Sequence, residues 1–168
     1  MPSVARMELL HAPWRIDYIR APKSPPSDHS LFTRIAQSSD DAANFIVRRE
    51  RTCYAVLNTF PYNGGHVMIV PYKQTAELSD LTEEELCDLM KLVRRSVEVL
   101  KQVMQPDGFN VGMNLGKVAG AGIVDHLHMH VVPRWNGDTN FMPVIADTRV
   151  LPEALADVAA RLRAAFAA

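Results

Sequence analysis

The sequence predicts an α+β domain built on an antiparallel sheet. Three observations carry this. Several short, β-prone apolar runs are separated by turn-forming residues; one long stretch keeps an uninterrupted helical spacing; and an alanine-rich amphipathic segment closes the chain. At 168 residues and 48% hydrophobic composition, one core of ordinary size is expected.

Residues 1–29 contain "APKSPPSDHS" (21–30) and read as an arm lying over a domain that occupies 30–168. His11 and His29 fall in that arm and are read as bystanders. Ser39 or Asp40 is placed to cap a short helix through "DAANFIVRR" (41–49). "TCYAVLN" (52–58) and "HVMIVP" (66–71), joined across "PYNGG" (61–65), predict a hairpin. Thr82 and Glu85 form a capping box, and Glu83 and Glu84 suit the positive end of the helix dipole. Leu86, Leu89, Met90, Val93, Val97, Leu100 and Met104 then keep helical spacing as far as "PDG" (106–108). "FNVGMNL" (109–115) and "HLHMHVV" (126–132) read as two further strands joined by a glycine-rich connection. Pro152 opens a last helix with Leu155, Val158, Leu162 and Phe166 on one side.

The formal charge is −1, with acids and bases spread along the chain, so no general nucleic-acid surface is expected. Apolar runs such as "HVMIV" are too short to cross a bilayer. The first residues lack the pattern of a secretion signal. Cys53 and Cys87 make neither a disulfide framework nor a CxxC motif. The cytoplasm is the expected compartment.

Three of the six histidines, His126, His128 and His130, sit at every second position in "DHLHMHVVPRW" (125–135). On a strand they share one face while Leu127, Met129 and Val131 enter the core. Such a face has three readings. It is an accidental polar surface, a metal site, or a set of imidazoles for chemistry at phosphorus. The outer two α-carbons would lie roughly 13 Å apart at about 3.3 Å per residue. Three rings leaving the backbone in parallel would then converge poorly on one ion at about 2.1 Å. Neutral imidazole is a good nucleophile near pH 7, and a neighbouring imidazole can stabilise phosphate oxygens or a leaving group. "NLGKVAGAG" (114–122) offers Gly116, Gly120 and Gly122, whose backbone N–H groups can approach an anion closely.

"HLHMHVV" matches the His-φ-His-φ-His-φ-φ signature, and the chain resembles the histidine-triad (HIT) superfamily of nucleotide hydrolases and transferases. Landmarks agree from about Ser30 to Phe141, including "VLN" (56–58), "GGHVMIVP" (64–71) and "GFNVGMNLG" (108–116). Within that superfamily it is most similar to the fragile-histidine-triad branch and bacterial diadenosine tetraphosphate phosphorylases, through "HAPWRIDYI", "FPYNGGH", "VVPRW" and "GDTNF". The resemblance implies about five antiparallel strands, two main helices, and a homodimer, or a tetramer built from it, whose sheets run together.

It also implies roles. His128 would attack the α-phosphorus and carry a transient nucleotidyl group. His130 would touch the phosphate and the leaving oxygen, His126 would buttress its neighbours, and His66 would complete the hydrogen-bond set. Asn114 would sit beside the phosphate, lined by Gly116, Gly120 and Gly122. Asn58 would bond the ribose, and Phe32, Ile35, Val56 and Met68 would sandwich the base.

Many relatives carry a zinc site beginning CxFC. Here the stretch is "SLFT" (30–33), and Ser30 and Thr33 cannot replace thiolates, so no metal is expected. No tightly bound cofactor is implied beyond a divalent cation such as magnesium arriving with the substrate phosphates. Phosphoramidase relatives have a shorter loop with Gln-Ser before the triad, whereas this chain has Gly122-Ile123. Phosphorylases place Ser where Gly122 stands and hydrolases usually carry a Gln nearby; neither side chain is present, so the acceptor is open on this ground. Without that Ser hydroxyl phosphate capture is weaker, and the expectation is a dinucleoside polyphosphate hydrolase acting through His128, with phosphorolysis as the alternative. A phosphoramidase, or a nucleotide-binding protein without catalysis, ranks behind both.

Overall fold

The computed structural model describes residues 29–138 and 153–168. Almost all of the expected arm (residues 1–29), and the "TNF" of "GDTNF", lie outside them. Eight elements follow in order: α1 (Leu31–Gln37), β1 (Ile46–Arg49), β2 (Cys53–Leu57), β3 (Val67–Pro71), α2 (Glu83–Met104), β4 (Gly108–Met113), β5 (Met129–Arg134) and α3 (Leu155–Ala167). The five strands form one antiparallel sheet in the order β1-β2-β3-β5-β4.

The expected helix through 41–49 is not there. Asp40 Oδ1 accepts from Ala43 N–H at 2.9 Å, and Phe45 takes a left-handed φ of 55° that turns the chain into β1. Ile46 and Val47 are both buried but belong to the clusters on opposite faces of the sheet. A two-residue period satisfies both, and a helix would not. The helix of this region lies earlier, at α1. Ser30 Oγ caps it by accepting from Thr33 N–H at 3.1 Å, and the Arg49 guanidinium holds its far end through the Ala36 and Ser38 carbonyls.

The hairpin forms as expected, with Cys53↔Pro71 through Leu57↔Val67 in register. Every residue of β2 and β3 is buried, because both faces of the sheet are covered. One face carries Val47, Cys53, Ala55, Leu57, Val67, Ile69 and Val131 against α2 and α3. The other carries Ile46, Tyr54, Val56, Met68 and Val70 with Phe32 of α1.

The Thr82–Glu85 capping box closes in both directions, at 3.2 and 2.8 Å. Along α2, Leu89, Val93 and Leu100 face the core, but Met90 is exposed and Leu92 and Ser96 are buried in its stead. α3 begins at Leu155 and buries Val158, Ala159, Leu162 and Phe166. Truncating a side chain as enclosed as Leu162 typically costs about 2–5 kcal/mol.

β5 starts three residues later than the sequence suggests, at Met129, and runs to Arg134. His126 and His128 precede it in non-strand backbone, yet Leu127 and Val131 still turn inward. Leu127 N–H bonds the Thr75 carbonyl at 2.8 Å, which keeps this lead-in extended beside the loop after β3.

Candidate functional site

Cross-strand register builds the site. Ile46 pairs with Val56, Val56 with Met68, Met68 with His130, and His130 with Gly112. Partners in register share a face, so His130 stands in one row with Val56 and Met68. The β4–β5 pairing ends at Met113↔Met129, so Asn114 and His128 are the first residues beyond the paired strands.

His66 comes from the mouth of the hairpin. Asn58 N–H donates to the His66 carbonyl at 2.9 Å, extending the ladder by one pair. His66, His126 and His128 are all buried, and His130 is half-buried. The His128 and His130 rings lie 4.9 Å apart edge to face, and His66 and His130 lie 5.1 Å apart. The four histidines singled out from sequence therefore do come together.

Fixed donors and acceptors determine where each ring holds its proton. The Pro71 carbonyl can only accept, so His126 Nε2–H donates to it at 2.8 Å. His126 Nδ1 then accepts from Ser30 Oγ–H at 2.6 Å. The His126 carbonyl takes the Nδ1–H of His128 at 2.9 Å, which leaves the lone pair of His128 on Nε2. Tyr62 N–H donates to His66 Nδ1 at 3.0 Å, so His66 carries its hydrogen on Nε2 and gives it to His130 Nδ1 at 2.9 Å. His130 accordingly bears its own hydrogen on Nε2. Burial, the largest influence on both, holds the pKa of His126 and His128 below the usual imidazole value. The site thus holds one ring with a nucleophilic Nε2 beside one with a donor Nε2–H.

The expected base contacts are also neighbours. Phe32, Val56 and Met68 are buried in one cluster, with Ile35 packed against it. The Phe32 ring lies 5.6 Å from that of His126 and 5.1 Å from that of His128. Asn58 is more committed than sequence suggested. Its Oδ1 accepts from Phe60 N–H at 2.9 Å, which turns its amide nitrogen towards His66 Nδ1 at 3.4 Å.

The glycine loop differs from expectation in its donors. Gly116 and Gly120 have φ of 82° and 93°, which favour glycine. Gly120 N–H bonds the Lys117 carbonyl, however, and Ala121 N–H the Gly116 carbonyl, so these two donors turn inward on the loop. Gly120 instead offers its carbonyl to the Asn114 amide at 3.4 Å. Gly122 is half-buried and lies four residues before His126.

Sequence reasoning missed Ser30, Tyr62, Asn63 and Gln74 as members of this network. Gln74 Oε1 accepts from Ser30 N–H at 2.8 Å and from Thr33 Oγ1–H at 2.9 Å, leaving the Ser30 hydroxyl for His126. Among the described residues, no three His, Cys, Asp or Glu side chains are grouped as metal ligands. Ser30 and Thr33 form instead a hydroxyl pair 3.1 Å apart beside the first triad histidine.

Comparison with known proteins gives four findings. Residues 39–137 match the HIT domain family. The AP-4-A phosphorylase of Mycobacterium tuberculosis is 44% identical over 158 residues, covering 90% of this chain and 80% of that protein. The asymmetrical bis(5′-nucleosyl)-tetraphosphatase of Schizosaccharomyces pombe is 36% identical over 90 residues, 54% of this chain and 49% of that one. In fold, a zinc-bound histidine triad family protein from Mycobacterium smegmatis aligns with a TM-score of 0.65 at 24% identity, covering 82% of this chain and 92% of that one.

Proposed function

The chain belongs to the HIT family, and from that premise we propose that it cleaves diadenosine tri- and tetraphosphates by transferring a nucleotidyl group to His128. The observation that carries this is the proton arrangement of the triad: the neighbouring carbonyl holds Nδ1–H of His128 and leaves Nε2 to attack. The Nε2 lone pair forms a bond to the α-phosphorus while the bridging P–O bond breaks, its electron pair leaving with the oxygen. The ring becomes cationic, and its Nδ1–H bond to the His126 carbonyl strengthens. His130 Nε2–H stabilises the departing oxygen by a hydrogen bond.

In this reading Val56, Met68, Phe32 and Ile35 hold the base, Asn58 the ribose, and Asn114 with Gly116 and Gly122 the phosphate, while Gly120 shapes the loop beside them. A magnesium ion would arrive with the substrate, not reside in the protein. Two copies join through β4, one of the two edge strands, where Asn110, Val111 and Gly112 are exposed. The free cysteines Cys53 and Cys87 suit a reducing compartment such as the cytoplasm. No helix among the described residues is long and apolar enough to cross a membrane.

The second acceptor is water in the reading the loop supports. Inorganic phosphate must be held against its hydration by several donors, and Gly120 and Ala121 spend theirs inside the loop. Position 122 also lacks the hydroxyl that phosphorylases carry. One hydrogen bond to a charged group contributes about 1.5–3 kcal/mol, so its loss weakens phosphate capture by about ten- to a hundredfold. Similarity to the AP-4-A phosphorylase favours phosphate as the second reading. Diadenosine tetraphosphate, turned over with and without phosphate, separates them. AMP plus ATP at every phosphate level is expected, whereas ADP plus ATP with added phosphate would overturn the choice of water. Gly122→Ser is expected to raise the ADP share.

A further inference from the structure

The geometry points to Asn63, in the turn of the β2–β3 hairpin, as a positioning residue that keeps the hydrogen of His130 on the nitrogen facing the leaving group. Nothing in the triad pattern marks it. The inference rests on the proposed transfer to His128, although its physical core can be read without any substrate.

Asn63 ties together the two elements that carry the paired rings. Its main-chain carbonyl accepts from His66 N–H at 3.2 Å. Its amide nitrogen donates to the Pro133 carbonyl in β5 at 3.2 Å and to Asp138 Oδ2 at 2.9 Å, while its Oδ1 accepts from Gly64 N–H at 3.1 Å. Asp138 is itself gripped by Arg134, at the end of β5, through both carboxylate oxygens, and by Trp135 N–H. The hairpin turn is therefore bolted to the strand that bears His130, and His66 hangs from the same turn.

What the bolt preserves is the approach of Tyr62 N–H to His66 Nδ1. The Tyr62 ring adds to it, stacking on His66 at 5.0 Å and 21° and meeting His130 edge to face at 5.8 Å. A backbone N–H cannot change sign, so His66 Nδ1 stays an acceptor and its hydrogen stays on Nε2. Only one hydrogen fits between His66 Nε2 and His130 Nδ1 at 2.9 Å. His130 is consequently obliged to hold its own hydrogen on Nε2. If the turn slackens and Tyr62 N–H withdraws, only the longer approach of the Asn58 amide nitrogen, at 3.4 Å, still favours an acceptor at His66 Nδ1, and the opposite arrangement becomes accessible: His66 presents a lone pair on Nε2, His130 donates from Nδ1, and His130 Nε2 turns a lone pair towards the leaving oxygen. Between two neutral rings the pair has these two settings, and Asn63 holds it in the productive one.

Long-range proton–nitrogen spectra of the histidine rings test this directly. In the full chain at neutral pH, His66 and His130 are expected with their hydrogen on Nε2, and His128 with its hydrogen on Nδ1. A hydrogen on His66 Nδ1 overturns the proposal whatever any variant does. In Asn63→Ala, His66 and His130 are expected to lose their single Nε2–H signature. Turnover of a graded series of aryl adenylates should then fall by about tenfold or more for an unsubstituted phenol but less than about threefold for 4-nitrophenol, because a donor matters most to the more basic leaving oxygen. An equal loss across the series with unchanged ring signatures would make Asn63 merely structural and overturn the assignment. Absence of any adenylate cleavage by the unaltered protein refutes the proposed function alone, since the ring signatures still decide the role of Asn63.

Discussion

Ser30→Ala is expected to destabilise the protein more than its place on a seven-residue helix suggests. The hydroxyl does two things in one position. It accepts Thr33 N–H as the cap of α1, and it donates to His126 Nδ1 at 2.6 Å in the interior. Losing a serine cap typically costs about 1 kcal/mol. Leaving a buried acceptor without its donor costs about 1–3 kcal/mol, and His126 is only 1% exposed. Its other nitrogen is already engaged by the Pro71 carbonyl, so a ring flip only exchanges one unsatisfied atom for another. The sum is about 2–4 kcal/mol, which in a chain of this size lowers Tm by about 4–16 °C. Urea unfolding followed by circular dichroism measures it, with Ser30→Thr as the control that keeps a hydroxyl. A Ser30→Ala loss below about 0.5 kcal/mol would refute the reasoning and show that His126 does not depend on this donor.

Three further outcomes are expected. His128→Ala should abolish turnover while nucleotide affinity, measured by calorimetry, changes little, because base and ribose contacts lie on other residues; retained turnover would refute the mechanism. Asn58→Ala should weaken ribonucleotides by a few-fold to about tenfold and largely spare 2′-deoxy analogues, and equal weakening of both would show that the amide serves only His66. Stability should fall as pH drops below about 6.5, because His126 and His128 resist protonation in the folded protein while the unfolded chain takes up protons at the ordinary imidazole value. Above that value both states are neutral and the contribution is complete; a Tm that is flat from pH 7.5 to 5 would contradict the buried, neutral assignment.

Sequence revealed what local pattern controls. The capping box at Thr82, the hairpin and the inward alternation of Leu127 and Val131 each depend on neighbours a few residues away, and each appears in the fold. The stretch 41–49 predicts a helix from sequence because nine residues with Phe45, Ile46 and Val47 fit either period; pairing of Ile46 with Val56 decides for strand. The triad could be placed by its spacing, but not the proton on each ring. That depends on Ser30, Pro71 and Tyr62, whose identities carry no local mark of the role. The inward turn of Gly120 and Ala121 N–H was equally hidden, since a glycine-rich run specifies freedom without specifying what the donors face.

The partners of His126 lie 96 residues away at Ser30 and 55 away at Pro71, and His66 meets His130 across 64. Contacts so distant along the chain close large loops, and in folding they bear the greatest entropic delay. Helix α2 can form early from its own capping and spacing, but the histidine cluster cannot exist in part. A chain emerging from the ribosome has no arrangement resembling the site until residue 130 has come back to meet the hairpin. A half-folded molecule would therefore lack the paired His66 and His130 rings, and catalytic competence would arrive together with the closing of the sheet.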